Sequence, residues 1–124
     1  MLHSNKRIGT EFENEMCECL AADGWWVHFI TPNAAGAQPF DIIAVRDGKA
    51  LALDCKTCDR PSIAYSRLEE NQKASMEFWM RRGNDEPMIA VKHADAIYLV
   101  PYLTLKAGSV KLTERFLWKR ITCH

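Results

Sequence analysis

The sequence is 124 residues long, 48% hydrophobic and 26% charged, with sixteen basic and sixteen acidic side chains that leave a formal net charge of zero. This is the composition of a globular chain large enough to bury one core, and it excludes overall charge as a signal for a nucleic-acid partner. No apolar run approaches membrane-spanning length, and Met1-Leu2-His3-Ser4-Asn5 lacks the apolar stretch of a signal peptide, so the expectation is a soluble, intracellular protein with a single domain over residues 1–124 and no membrane partner.

Residues Lys6 to Asp23 read as a helix, because Ile8, Phe12, Met16, Cys19 and Leu20 recur at helical spacing and Gly24 is a natural stop. Glu13 lies beside that stripe, while Glu11, Glu15 and Glu18 fall on flanking or outer faces. Trp25 to Ile30 has strand composition, and Thr31 to Pro39 is a loop rich in Ala, Gly, Asn and Pro, expected to be mobile until a ligand arrives. After a central hairpin, Cys58 to Tyr65 forms a connection. Ser66-Arg67-Leu68-Glu69 matches a capping box, so a second helix is expected to start near Arg67. Its inner stripe is Leu68, Gln72, Met76, Trp79 and Met80, and Arg81-Arg82-Gly83 closes it. Pro87 to Lys92 and Ala96 to Tyr102 read as two further strands. Beyond them, Thr113 to Ile121 reads as a short helix and Val110 to Leu112 equally well as a strand. The expected class is α/β, with a mixed sheet flanked by helices in the order α-β-β-β-α-β-β.

The central hairpin runs from Gln38 to Thr57, with Phe40 to Arg46 and Lys49 to Thr57 as its two halves. Asp47-Gly48 is the strongest short hairpin signal in the chain, and a two-residue loop there places Arg46 opposite Lys49 and Asp41 directly opposite Asp54. Lys56 shares the face of Asp54, while Leu53 and Cys55 point the other way. Like charges facing each other destabilise a ribbon, and these sit among Ile, Ala and Leu. A solvated outer face is the plain alternative; a divalent metal between the acids accounts better for apolar neighbours.

Five cysteines make an odd number with no disulfide pattern, and a reduced cytosolic chain is the default. Cys55-Lys56-Thr57-Cys58 is formally a C-x-x-C, but a zinc site there, even with Cys123 and His124, requires Cys55 to turn out of the core. The four histidines share no ligand spacing. From Lys106 onward five basic residues stand against the single acid Glu114, a bias to which no role is assigned.

Glu13 on a helix, Asp41 in P-F-D, and Asp54-Cys55-Lys56 as D-x-K, in this element order, resemble the PD-(D/E)xK nuclease superfamily. Within it, G-T-E-F-E-N-E, G-W-W-V, D-I-I-A-V-R-D-G-K and M-I-A-V-K resemble Holliday-junction resolvases, both the archaeal type and a bacterial type linked to penicillin-binding-protein operons. The likeness spans Lys6 to Tyr102 and implies a restriction-endonuclease-like fold. Resolvases of this kind more often carry Glu where Asp54 stands, which shortens the reach by one methylene and keeps the ligand chemistry.

The resemblance implies a Mg²⁺ site (Mn²⁺ as a substitute) held by Glu13, Asp41, Asp54 and the backbone carbonyl of Cys55. The metal would polarise the phosphate, and Lys56 would orient the attacking water and offset the acids. Glu13 is preferred over Glu11 because Gly9 to Glu13 matches the resolvase G-x-x-x-E; otherwise each is a solvated helix acid. Gln72 resembles a polar residue that related nucleases place near the scissile phosphate, with a boundary glutamine as the equal alternative. Lys6, Arg7, Arg60, Arg67 and Lys73 flank this set as candidate phosphate contacts, Lys6 and Arg7 being placed ahead of the first helix. The implied function is a metal-dependent endonuclease making paired nicks in four-way DNA junctions as a homodimer, in the cytoplasm at the nucleoid, or in a host cytoplasm if phage-encoded. A restriction-like or repair nuclease on duplex or single-stranded DNA is the alternative of the same chemistry, and a non-catalytic DNA-binding protein that of another class.

Overall fold

The computed structural model describes residues 4–31 and 38–121, with side chains in the first helix from Glu11 onward. That helix, α1 (Ser4–Ala22), buries Phe12, Met16 and Leu20, one residue per turn on a single stripe. Each such burial contributes roughly 1.5–3 kcal/mol. Gly24 ends the helix in the left-handed region at φ 91°, and the Trp25 amide then reaches back to the Leu20 carbonyl. β1 (Trp26–Phe29) follows and pairs antiparallel with β2 (Ile42–Arg46).

β2 turns into β3 (Lys49–Thr57) through Asp47 and Gly48, both at positive φ, 52° and 76°, with Arg46 opposite Lys49 as expected from the D-G signal. β3 pairs in parallel with β5 (Met88–His93), which pairs antiparallel with β6 (Ala96–Pro101), and β8 (Leu117–Arg120) closes the far edge. The six-stranded sheet therefore runs β1-β2-β3-β5-β6-β8, antiparallel except at β3–β5. Between β3 and β5 lie β4 (Ser62–Ile63), a 3-10 turn at Tyr65–Arg67, and α2 (Glu70–Arg81). After β6 come α3 (Tyr102–Ala107) and β7 (Val110–Lys111), which pairs with β4 as a separate two-stranded ribbon.

The sheet is buried on both faces. α1 packs with Ile42, Ala44, Leu53, Ala90 and Ile97 on one side. On the other, Phe40, Ala52, Ile89, Val91 and Val100 join Met76 of α2 and Tyr102 and Leu105 of α3. Alternation along β3 sends Leu51, Leu53 and Cys55 towards α1 and Ala52 towards α2, so Asp54 and Lys56 belong to the α2 side. Tyr102, wholly buried, donates to Glu77 Oε2 of α2 at 2.6 Å and lies 2.9 Å from the Tyr65 hydroxyl, which ties α3 and the 3-10 turn to α2.

The expected order α-β-β-β-α-β-β is present, with four corrections. α2 begins at Glu70 rather than near Arg67: Leu68 must enter the core, so residues 65–67 close a 3-10 turn and the reciprocal cap is Glu69 with Gln72, not Ser66 with Glu69. Tyr102 starts a helix instead of ending a strand, because Tyr102 and Leu105 bury on a helical stripe and the Glu86 carboxylate accepts the Leu103 amide in the first turn. Thr113–Ile121 is a 3-10 turn followed by β8, since the edge of β6 offers backbone partners that a helix could not use; Val110–Lys111 is a strand. Lys6 and Arg7 fall within α1 rather than before it, and their side chains lie outside those described. Most of the Thr31–Pro39 loop (32–37), Cys123 and His124 also lie outside the described residues.

Candidate active site

The β2–β3 ladder stops at Ile42 and Leu53, one step short of the pair expected between Asp41 and Asp54. The Asp41 amide bonds instead to the Leu53 carbonyl at 3.0 Å, and its carboxylate turns in to accept the Cys55 amide through Oδ2 at 2.7 Å. Its other oxygen accepts from Gln38 Nε2 at 2.8 Å. The two acids therefore come together on the α2 side by a side-chain bond to the backbone, not by simple cross-strand facing. Both are buried: Asp41 is 4% exposed and Asp54 0%.

Asp54 Oδ1 accepts from Gln72 Nε2 at 2.7 Å, and Gln72 Oε1 in turn accepts from Lys56 Nζ at 3.3 Å and from the Glu69 amide at 2.9 Å. A glutamine that could have been a boundary residue thus caps α2 with one atom and clamps acid and lysine together with its amide. The reciprocal cap fixes the rotamer that reaches the strand. Lys56 Nζ also stands 3.2 Å from Asp54 Oδ2, yet off the line of a hydrogen bond, so that oxygen is buried with no hydrogen-bond donor. Burial, then the Asp41 charge, pushes the Asp54 carboxyl well above the usual carboxylate range, with Lys56 opposing.

Glu13 approaches from α1. Burial first and Asp41 second raise its carboxyl to about 7, with Lys56 pulling the other way, so Glu13 sits in the field of Asp41 and Lys56. Among the described residues no three acids, histidines or cysteines form a ready metal cage. The donor set still fits a hard divalent cation: carboxylate oxygens are its preferred ligands, and Asp54 Oδ2 is a buried acceptor with no donor. Thiol ligation has no comparable support. Cys55 packs on the α1 side and Cys58 on the α2 side, so the two thiols do not converge, and burial with the nearby carboxylates pushes the Cys55 thiol well above its ordinary range.

Other candidates separate. Arg60 is exposed on the connection after β3. Arg67 donates to the Thr57 carbonyl at 3.0 Å and contacts Cys58 Sγ at 3.3 Å, bracing the end of β3. Lys73 pairs with Glu70 at 2.9 Å and lies over the Tyr65 ring at 4.4 Å, so neither is a free phosphate contact. Glu15 pairs with Lys92 at 2.7 Å and Glu11 is exposed. Sequence reasoning missed Gln38, which holds Asp41 and whose carbonyl accepts from Asn71 of α2 at 3.2 Å. Its only signal was its place at the head of Q-P-F-D.

A curated relative, the crossover junction endodeoxyribonuclease Hjc of Methanocaldococcus jannaschii, is 29% identical over 103 residues, which is 82% of this chain and 72% of the relative. A solved structure of Archaeoglobus fulgidus Hjc, described as a Holliday junction resolvase from an archaeal hyperthermophile, superposes with a TM-score of 0.67 at 19% identity, covering 83% of this chain and 88% of that one, and so shares the fold. The model of the archaeal Holliday junction resolvase (Hjc) family matches residues 4–116, nearly the whole α1-to-C-terminal architecture that carries the paired acids, and the chain belongs to that family.

Proposed function

We propose that this chain is a single-domain endonuclease that hydrolyses phosphodiester bonds in branched DNA, resolving four-way junctions by paired nicks as a homodimer. The observation that carries the reading is the clamp of Asp54 and Lys56 by Gln72 beside a backbone-anchored Asp41, at one end of a buried strand pair, in a chain of the Hjc family. Asp41, Asp54 and Glu13 would hold the metal, with Mg²⁺ favoured because the available donors are hard oxygens and the two nearby thiols, Cys55 and Cys58, lie on opposite faces of the sheet. The backbone carbonyl of Cys55 is the fourth proposed donor. When bound, the cation supplies positive charge to the phosphate and an activated water.

The chain's own residues do the rest. Gln38 and the Cys55 amide hold Asp41, and Gln72 holds Asp54 by one oxygen, so that the other, with no hydrogen-bond donor, would be available to a cation. Lys56, only 16% exposed and tethered by Gln72, orients the water and places a cation beside the phosphate oxygens as charge builds there. No helix among the described residues is long and apolar enough to cross a membrane. Two symmetric nicks need two copies of this one site, which makes a two-fold dimer the simplest assembly.

The test is a cleavage panel of four-way junction, fork, duplex and single strand at equal concentration with Mg²⁺ or Mn²⁺. The junction is expected to be cut fastest, and Asp41→Asn and Lys56→Ala are each expected to lower cleavage by on the order of 10³-fold, the scale of several kcal/mol of lost charge stabilisation. Every substrate left uncut by the wild type would sink the nuclease reading. Equal cutting of duplex and junction would sink only the junction preference.

A further inference from the structure

The basic C-terminal segment has no part in the site just described, yet the fold ties it to the segment that leaves the site's strand. The chain leaving β3 runs from Thr57 through Arg60 to Ser62, where β4 pairs with β7: Ser62 stands opposite Lys111, and the Leu112 amide bonds to the Pro61 carbonyl at 2.9 Å. Lys111 and Arg115 then line one side of an open recess of about 420 Å³, together with the hydroxyl residues Ser109 and Thr113. Arg60 and Arg67 line a second recess of about 350 Å³ that contains Ser62, the residue paired with Lys111.

Among the described residues no carboxylate pairs with Arg60, Lys111 or Arg115; the one acid lining either recess is Asp59, and Glu114 is occupied by Arg120 at 2.7 Å. The three cations Arg60, Lys111 and Arg115 are exposed. Chain reach limits the distance: five residues span at most ~18 Å and a cross-strand pair adds ~5 Å, so Lys111 lies within about 23 Å of Thr57. At ~3.4 Å per step of one strand, that is about seven nucleotides of duplex.

We infer that the β4–β7 ribbon, through Lys111 and Arg115 with Arg60 between it and the site, is a phosphate-binding track for the DNA arm that leaves the cleavage centre. This rests on the nuclease reading and names where its substrate extends. The charges match a polyanion, the ribbon is joined through residues 58–61 to the strand bearing Asp54 and Lys56, and the hydroxyls of Ser109 and Thr113 offer donors to phosphate oxygens without reading sequence.

The experiment is binding of Mg²⁺-free protein to a four-way junction with long arms, followed across salt. For Lys111→Ala/Arg115→Ala the slope of log K against log[salt] is expected to shrink by about 1.8, at ~0.9 for each phosphate no longer neutralised. Lys111→Arg alone should keep the wild-type slope. Neutral methylphosphonate linkages placed about four to eight steps from the scissile phosphate should weaken wild-type binding and leave the double variant unaffected. An unchanged slope, or methylphosphonate penalties that simply add to those of the double variant, would overturn the track. Thermal melts of the variants check that both remain folded, as expected for exposed side chains. A wild type that neither binds nor cuts the junction would bring down the nuclease reading itself, and normal cutting with an unmoved slope would bring down only the track.

Discussion

Two hairpins lie side by side in the sheet and differ in one row of residues. β2–β3 turns at Asp47-Gly48 and β5–β6 at Ala94-Asp95, each a two-residue connection with left-handed backbone, φ 52° at Asp47 and 55° at Ala94. They meet at the parallel β3–β5 pair, where Asp54 stands beside Ile89 and Lys56 beside Val91. Asp54, Ile89 and Val91 are equally buried, all 0% exposed. Depth alone therefore cannot explain why one ribbon carries an acid and an ammonium where the other carries hydrocarbon. The difference is the supply of partners: Gln72 and Lys56 around Asp54, Gln38 and the Cys55 amide around Asp41, and an apolar cluster around Ile89 and Val100. Burying a carboxylate without such partners costs several kcal/mol. Even with them, Asp54 is held in a protonation-prone state by burial and by Asp41.

The strongest way to break the comparison is to put an acid into the apolar hairpin. Val100 faces Ile89, is fully buried, and belongs to the α2-side core. Val100→Asp is expected to destabilise the fold by about 3–5 kcal/mol, measured by urea unfolding, because the new carboxylate would have no donor. A loss no larger than the ~0.5 kcal/mol of an ordinary surface change would mean that this sheet accepts acids anywhere and that the partners around Asp54 are incidental.

The next largest effect comes from removing a partner on the charged side. Gln72→Leu is expected to lower both metal affinity and cleavage by roughly 10–100-fold, the usual scale for residues that orient ligands. A frayed helix would contribute to that loss, since Gln72 also accepts the Glu69 amide. Gln72→Glu separates the two: the cap acceptor and the Lys56 partner remain, while the donor to Asp54 becomes a second carboxylate. Cleavage lost in both variants with helix content kept in the second assigns the effect to Asp54. Cleavage kept in Gln72→Glu would reduce the residue to a cap.

The charged hairpin was largely legible in the sequence, and the reason is local. Asp47-Gly48 dictates a turn whose register follows by alternation, so Lys56 sharing the face of Asp54 needs only chain geometry. The end of that ladder was not legible, because it depends on Gln38 and the Cys55 amide capturing Asp41, across fourteen residues of chain in the second case. Gln72 was legible as a position on an inner stripe and not as a clamp, since its rotamer is set by a cap that starts three residues later than Ser66-Arg67-Leu68-Glu69 suggested. α3 was missed because Tyr102 reads as the end of the preceding strand; what decides is the burial of Tyr102 and Leu105 on one helical stripe, with the Glu86 carboxylate on the Leu103 amide. β8 was missed for a similar reason, its conformation being imposed by the open edge of β6.

The smallest expected effect tests the electrostatic half of the comparison through pH. Glu13 has an ordinary value of 4.5, raised to about 7 by burial first and by Asp41 second, and Asp54 is raised in the same direction. A carboxyl raised on folding binds its proton more tightly in the native state, so its stabilising contribution is full below the unfolded value and is lost as pH rises through about 7 for Glu13. The metal-free protein should therefore melt a few degrees lower at about pH 8 than at about pH 5 on account of this group. Mg²⁺ requires the ionised oxygens, so its addition should raise the melting temperature more at the higher pH than at the lower. Glu13→Gln should flatten the metal-free profile. If Mg²⁺ stabilised equally at both pH values, or if Glu13→Gln kept the full slope, the helix acid would not share the field of Asp41, and the charged hairpin would stand without its third carboxylate.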